Sequence, residues 1–592
     1  MFSILFVQVP LAFLSSDLCL LLPITGHRGQ RRKMTEEMEN VNHDSSADEK
    51  YRVYASVSFA VLLLGVGVPL WWHTTAVPRV ALPYTGISEL SQLDIRINTK
   101  IMVAALSRDR AELLAREIRR AFANAEIYEL NVEYQVISNN LLASAFTYHE
   151  LEKVASNFDL DVGDLLLLEA TNLNDAVLVG SNRTLYFSTE TSAAKLIQVL
   201  SQWILHDKSL ALTKNALAEP TVYSLDEENR RRFPASPAYD VLITLVNPDP
   251  EKLKVTWNLK RIAEYMQPFL DELSILSNFS VKSQWLYLLP LDVNPRRVPD
   301  SSPSRRHFAL RESVLPQLVT PLEKKLASQV SLHPCINLVL YTVPCDSAPL
   351  HIYTRSGHRS RTDSNVEAFL SPRWGGVVLL NPPAHSCENV GEEGIATIVP
   401  EETAVIGTFL AQLRLLLGIP ETKPISGVTA VPLVGLKSRD WEIDSLLRFR
   451  TVEQLTSAKL TLQSLAQLLK EISNIVITDV VGNRIKTALE LVHESAERLR
   501  HGDLERSFNL SKEAFVTAEA AFSDPTLLAL LYFPEDQKYA VYIPLFLPAM
   551  IPVLLSLKNI RRYYFPEKGS SAKRKMSHAE SENDEDSEPK IG

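Results

Sequence analysis

His385 and Cys387 stand two positions apart in the stretch PAHSCEN. A thiolate is a strong nucleophile and an imidazole can take its proton, so the pair has the chemistry to attack a carbonyl. Its spacing argues otherwise. The partners of a catalytic cysteine come from distant segments, not from one short loop, and we read this pair as structural. Cys335 and Cys345 lie ten positions apart and can bridge in an oxidising compartment. With Cys19 these are the 4 cysteines of the chain, too few for a disulfide-built scaffold and without the C-x-x-C pairs of a zinc site. The chain has no G-x-S-x-G, no Walker A loop, no H-E-x-x-H and no G-x-G-x-x-G opening a helix. SPRWGG (371–376) precedes a strand-like run, and its glycines suggest tight backbone geometry rather than a phosphate loop. The expectation is therefore no catalytic residue, no cofactor-binding residue and no metal ligand.

Composition narrows the class. The 592 residues are 46% hydrophobic and 22% charged, ordinary for folded protein. A net charge of -9 argues against nucleic-acid binding, which asks for a basic face. Asn182-Arg-Thr, Asn278-Phe-Ser and Asn509-Leu-Ser are N-glycosylation sequons; such triplets also arise by chance.

Two stretches are long and apolar enough to cross a bilayer, which takes about 20 residues. The first, 53–72, ends on Trp71 and Trp72, side chains suited to the headgroup interface; the second is 539–557, between Lys538 and Lys558. Arg28, Arg31, Arg32, Lys33, Lys50 and Arg52 precede the first span, and only Arg79 follows closely. Lys558, Arg561, Arg562, Lys568, Lys573, Arg574 and Lys575 follow the second. The positive-inside tendency then places both termini in the cytosol and all three sequons in one large loop on the far side. The apolar start, 1–25, lacks a basic leader and a clear small-x-small cleavage site, so it is not read as a signal peptide. Met34 opens a polar lead into the first span, and we expect residues 1–33 to be dispensable in at least some products.

The expected fold class is α/β: two transmembrane helices flanking a large mixed α/β lumenal domain, followed by a helical segment. The expected divisions are 1–52 cytosolic, 53–72 first span, 73–437 α/β, 438–538 helical, 539–557 second span and 558–592 acidic cytosolic tail. Strands are expected at 101–106, 239–246, 336–343 and 376–380, where apolar and β-branched residues concentrate. Between them Leu259, Ile262, Met266, Phe269 and Leu273 form one face of a helix that Pro268 is expected to bend. Another helix runs through 401–417, closed by Gly418 and Pro420. Loops 295–307 and 355–364 carry Pro, Ser and Arg; their arginines have the chemistry to bind anions, but solvated surface is the favoured reading. Further on, Leu455, Ala458, Leu462, Leu465, Leu469, Ile472 and Val476 mark a long amphipathic helix, and 488–522 reads as a helical hairpin turning at Gly502.

Pro544, Pro548 and Pro552 stand at four-residue intervals inside the second span. Each removes an N–H and frees a carbonyl four residues back. At about 100° per residue a four-residue step drifts by only about 40°, so prolines and freed carbonyls form a narrow band. Bare polar groups are costly in hydrocarbon, so the band either faces protein or is satisfied by local adjustment. In both cases we expect the span to dock onto other membrane helices.

NPDP (247–250), YMQPFLDEL, NFSVKSQ (278–284), SPRWGG, FLAQLRLLLGI (409–419), SLAQLLKEISNIVI (464–477), LGVGVPLWWHTT and 530–557 together resemble the phosphatidylinositol-glycan biosynthesis class S family. The resemblance runs from about 50 to 565 and does not extend to the first 48 residues, the loops 295–307 and 355–364, or the acidic tail. It implies a non-catalytic subunit of the glycosylphosphatidylinositol (GPI) transamidase of the endoplasmic reticulum membrane, with a scaffolding role that extends to receiving substrate. The implied partners are a class K cysteine-protease-like catalytic subunit, the class T and class U subunits and the GPI attachment factor. The alternative from the residues alone is a free-standing lumenal receptor or chaperone anchored at both ends.

Overall fold

The structure is a computed structural model that describes residues 50–138, 147–298, 307–326, 330–359, 366–388, 394–529 and 535–564, apart from 434, 436, 473 and 474. The expectations for residues 1–33 and for the tail beyond 564 fall outside the described residues. The described residues form two compact units, one within 50–77 and 535–564 and the other within 78–529.

The smaller unit contains α1 (Lys50–His73) and α8 (Glu535–Tyr564). The turns of α1 over Leu62–Gly67 are π-helical, at a Gly-containing stretch, LLLGVG. Most side chains of α1 are exposed and apolar.

The larger unit is mixed α/β with several sheets. The first sheet comprises β1 (Ile97–Ala105), β2 (Tyr128–Val136), β3 (Leu165–Ala170), β4 (Val177–Val179), β5 (Thr184–Ser188) and a late strand, β16 (Val428–Ala430), in the order β16-β4-β5-β3-β1-β2. The second comprises β6 (Ala238–Asn247), β8 (Asn278–Tyr287), β11 (Cys335–Thr342), β13 (Val366–Ser371) and β14 (Gly375–Leu380), in the order β13-β14-β11-β6-β8. These are one topology used twice. In each sheet the first strand lies between the second and third, all parallel. An antiparallel hairpin then follows, its later strand pairing with the third. Helix α2 (Arg108–Ala121) joins β1 to β2, and α3 (Leu259–Glu272) stands at the same place between β6 and β8. The second half also carries inserts. Short β7 (Leu253–Val255) pairs with β15 (Ala396–Ile398), while β9 (Arg296–Val298), β10 (His307–Arg311) and β12 (Leu350–Tyr353) make a three-stranded sheet in the order β12-β10-β9.

Parallel strands buried on both faces need not alternate. Leu165, Leu166, Leu167 and Leu168 are all fully buried, two facing each side of the first sheet. One continuous core runs from the inner face of that sheet, through Ile101 and Leu167, to Tyr239, Ile243 and Leu338 of the second. The outer faces bury separate clusters around Leu166 and Tyr186 in the first sheet and Val339 and Leu379 in the second. Both glycines of SPRWGG are closely approached, Gly375 by backbone and Gly376 by a side chain. A Cβ on Gly375 would stand 2.0 Å from the Asn337 carbonyl oxygen, and one on Gly376 would stand 2.1 Å from Gln412 Oε1.

Three long helices follow α4 (Glu402–Leu417), whose cap Gly418 has φ 99°. They are α5 (Asp440–Glu471), α6 (Asp479–Arg500) and α7 (Leu504–Phe522). Leu455, Ala458, Leu462, Leu465 and Leu469 are buried along α5 as their spacing predicts. The helix nevertheless starts earlier, at Asp440, and stops before the end of the apolar pattern, with Ile472 an extended cap. Its first half shows no stripe because it is buried all round and carries charge. Gly502, at φ 86°, turns α6 into α7, and Ser495 and Ser507 cross-bond the two helices through backbone carbonyls at 2.8 Å.

Candidate functional site

Open α/β sheets bind ligands in the crevice beyond the carboxyl ends of their strands, where the strand order reverses. In the first sheet that place lies between β1 and β3, and the protein's own side chains fill it. Glu169, buried at the end of β3, accepts from the Leu106 backbone N–H at 2.8 Å and pairs with Arg110 at 2.7 Å. Arg110 also donates to the carbonyls of Ser188 and Thr191 beyond β5. In the second sheet Asn247 donates to the Leu253 carbonyl at 2.8 Å. Asn381, past β14, bonds both the N–H and the carbonyl of Leu350, which draws inserted β12 over the strand ends. Sequence reasoning missed these residues. The one visible signal was a carboxylate ending the apolar run LLLLEA.

The first half of α5 is a second polar arrangement that the sequence did not announce. Asp444, fully buried, accepts from the Gly163 N–H at 3.1 Å and from Arg183 at 2.6 and 3.0 Å. Arg448 donates to the carbonyls of Gly163 and Ile204. Two residues away, about 200° round the helix, Arg450 donates to the carbonyls of Phe233 and Leu417, and Glu442 pairs with Arg414 and Arg439. A buried charge survives only when paired and hydrogen-bonded, and here most of the partners lie outside α5, in segments far away in sequence. Asp444 and Arg448 hold the first half; Glu442 and Arg450 hold the second.

The cysteines pair differently from the expectation. Cys345 is bonded to Cys387, with Cα atoms 5.5 Å apart, and Cys335 is free. The reason is strand length. Cys335 opens β11 and Cys345 lies past its other end, and at about 3.3 Å per residue the strand alone separates them by roughly 23 Å. A disulfide needs Cα atoms within about 7 Å. Cys387 therefore has no thiol to serve as nucleophile beside His385. Burial pushes the Cys335 thiol up to about 11, away from reactivity.

In the smaller unit the Trp71 ring packs edge-on against Tyr542 at 5.7 Å and Phe546 at 5.9 Å. Val53, Ala60 and Val553 are its buried apolar side chains among the described residues. Pro544 and Pro548 lie two residues past Tyr542 and Phe546, about 200° round the helix, and Pro552 continues that line. All three prolines are exposed, Pro544 and Pro548 on the face turned from Trp71 and Pro552 toward its flank. By length and composition α1 can cross a membrane; within α8 the apolar stretch among described residues is Phe546–Lys558, shorter than a full span.

A family model for the phosphatidylinositol-glycan biosynthesis class S protein matches residues 58–567. The chain belongs to the class S family. It is 35% identical over 537 residues to a Rattus norvegicus protein named "GPI-anchor transamidase component PIGS", covering 86% of this chain and 94% of the relative. The Homo sapiens protein of the same name is 35% identical over 550 residues, with the same coverage. A Schizosaccharomyces pombe protein named "GPI transamidase component PIG-S homolog" is 25% identical over 546 residues, covering 89% of this chain and 87% of the relative.

Within this class S chain the sequons Asn182, Asn278 and Asn509 all have exposed asparagines. Their third residues differ. Thr184 is buried in β5, and Ser511 is buried in α7 with its hydroxyl donating to Gln454 at 2.9 Å, whereas Ser280 on the edge strand β8 is exposed.

Proposed function

We propose that this chain is a non-catalytic subunit of the GPI-anchor transamidase, held in the endoplasmic reticulum membrane by two spans and contributing a lumenal body that scaffolds the assembly. Family membership across nearly the whole chain carries the reading, since the mammalian relatives are named as components of that transamidase. The geometry is in keeping with it. Both strand-end crevices are filled by the chain's own groups, and the sulfur of the His385–Cys387 pair is in a disulfide. Chemistry then falls to a separate cysteine-protease-like class K chain, with class T, class U and the GPI attachment factor as further partners. Both termini face the cytosol and residues 73–538 the lumen. Asn278 is the sequon that carries a glycan in the folded protein, because its acceptor and its hydroxyl are both open.

The proline face of α8 gives the membrane part of the scaffold its role. Exposed and turned away from Trp71, it offers carbonyls that lipid cannot satisfy and a neighbouring subunit's helix can. Replacing Pro544, Pro548 and Pro552 together by Leu leaves α8 inserted and lowers co-purification of the other subunits in mild detergent; unaltered co-purification refutes the docking role. Protease protection in sealed microsomes tests the topology: digestion of residues 73–538 from the cytosolic side defeats it.

A further inference from the structure

We propose that the second α/β half carries an anion site, a cleft of about 610 Å³ on the inserted sheet β9-β10-β12 that binds the phosphate of a phosphate ester. It is lined by Arg296, Arg297, Arg311 and Arg355, with Glu312 the one carboxylate among them. Arginines that the sequence keeps far apart meet here. Arg296 and Arg297 belong to β9, Arg311 ends β10, and Arg355 lies just past β12. Strand register sets the geometry. Arg296 stands directly across from Ala309, and Ala309 across from His351, so a small side chain forms the floor beside the first guanidinium. Arg311, two residues past Ala309, shares that face and is the diagonal neighbour of Arg296, on the order of 7–8 Å away along the sheet. That separation lets two guanidinium groups grip one tetrahedral anion from opposite sides.

The charges of the cleft are only partly answered by the protein. Arg355 faces Glu312 at 3.9 Å, while Arg297, on the opposite face of β9 from Arg296, has its guanidinium over the Phe308 ring at 5.5 Å and leaves Arg296, Arg311 and Arg355 as the charges of this face. Among the described residues Arg296 and Arg311 have no carboxylate partner. Like charges gathered in a concave site focus a positive potential, and this one stands out in a chain of net charge -9. Arg is also the side chain whose planar fork matches phosphate oxygens. The ligand class is a phosphate monoester or diester on a small polar body. Its source is either a soluble phosphate or the headgroup region of a phosphoinositide-type lipid. As a substrate-receiving feature the site rests on the subunit reading above; as an anion site it stands on this geometry alone.

The test is isothermal titration of the full-length chain in mild detergent with phosphoethanolamine and with glycerophosphoinositol. Binding is expected to weaken as salt rises and to drop at least about tenfold in the Arg296→Gln/Arg311→Gln double variant, with an unchanged melting profile. Arg296→Lys/Arg311→Lys is expected to retain part of it. Reconstitution in nanodiscs containing phosphatidylinositol separates the sources: loss of soluble-ester binding there assigns the site to a lipid headgroup, and its persistence assigns it to a soluble ester. No heat from either ester, an unchanged double variant, or tighter binding of an acidic peptide overturns the inference. Co-purification of the other transamidase subunits, measured on the same variants, tests the subunit reading separately.

Discussion

The two α/β halves use the same strand order yet close their strand ends by different means. In the first, an ion pair suffices: Arg110 and Glu169 tie β3 to the segments after β1 and β5. The connection from Ala170 to Val177 is short and leaves nothing to fold over them. In the second, the chain between Thr342 and Val366 is long enough to lay β12 across the ends, where Asn381 and the Cys345–Cys387 bond secure it. The lesson is that a parallel-sheet scaffold loses its usual ligand crevice whenever its own chain supplies the polar groups a ligand would bring. The half with inserts then becomes the half with new surface, including the arginine cleft.

This contrast can be broken by experiment. The largest effect is expected from Cys345→Ser with Cys387→Ser. The bond spans a sequence separation of 42 residues, and releasing such a loop costs about 4 kcal/mol in the chain-entropy treatment. Hydrogen exchange should show faster opening of β11–β14 and little change in β1–β5; equal loss in both halves would mean that they unfold as one. Next is acidification of the first half. His206 follows a buried helix end at φ 50°, and burial holds its imidazole down to about 4. Unfolded histidine titrates near 6.5, so between those values the unfolded chain binds the extra proton. Stability therefore falls as pH drops through that window, by up to about 3 kcal/mol. His206→Asn, which tolerates the backbone, should flatten the slope in exchange measured over β1–β5. The smallest effect is expected from Asp444→Asn, about 2 kcal/mol from weakened charge-assisted bonds to Arg183. It should loosen Gly163 and its neighbours first, leaving the Arg450 contacts to Phe233 and Leu417 protected.

Legibility followed locality. The cores of β1, β6, β11 and β14 could be read because apolar, β-branched runs report their own burial. Helix α3 could be read from Ile262, Met266, Phe269 and Leu273, which are buried as their 3–4 spacing implies, and Pro268 sits within the helix. The first half of α5 falls inside the stretch expected to be helical, but its burial could not be read. Trp441, Asp444, Leu447 and Arg448 are buried on all sides, so no period separates inside from outside. The repeated strand order was equally hidden, since inserts in the second half destroy any fixed spacing between matching strands. The cysteine pairing failed for a related reason: proximity in sequence means little when a strand lies between two residues.

The amino-acid sequence alone determined where the apolar stretches lie, the strand and helix seeds, and membership of a family whose relatives are named as GPI-anchor transamidase components. Each of these depends on local composition or on motifs that need no partner to be recognised. Only the tertiary structure decided that Cys345 meets Cys387, that Arg110 closes a crevice on Glu169, and that Arg296 faces the same cleft as Arg311. Those contacts are set by strand length, register and crossing connections, and such distances exist only once the sheets have formed.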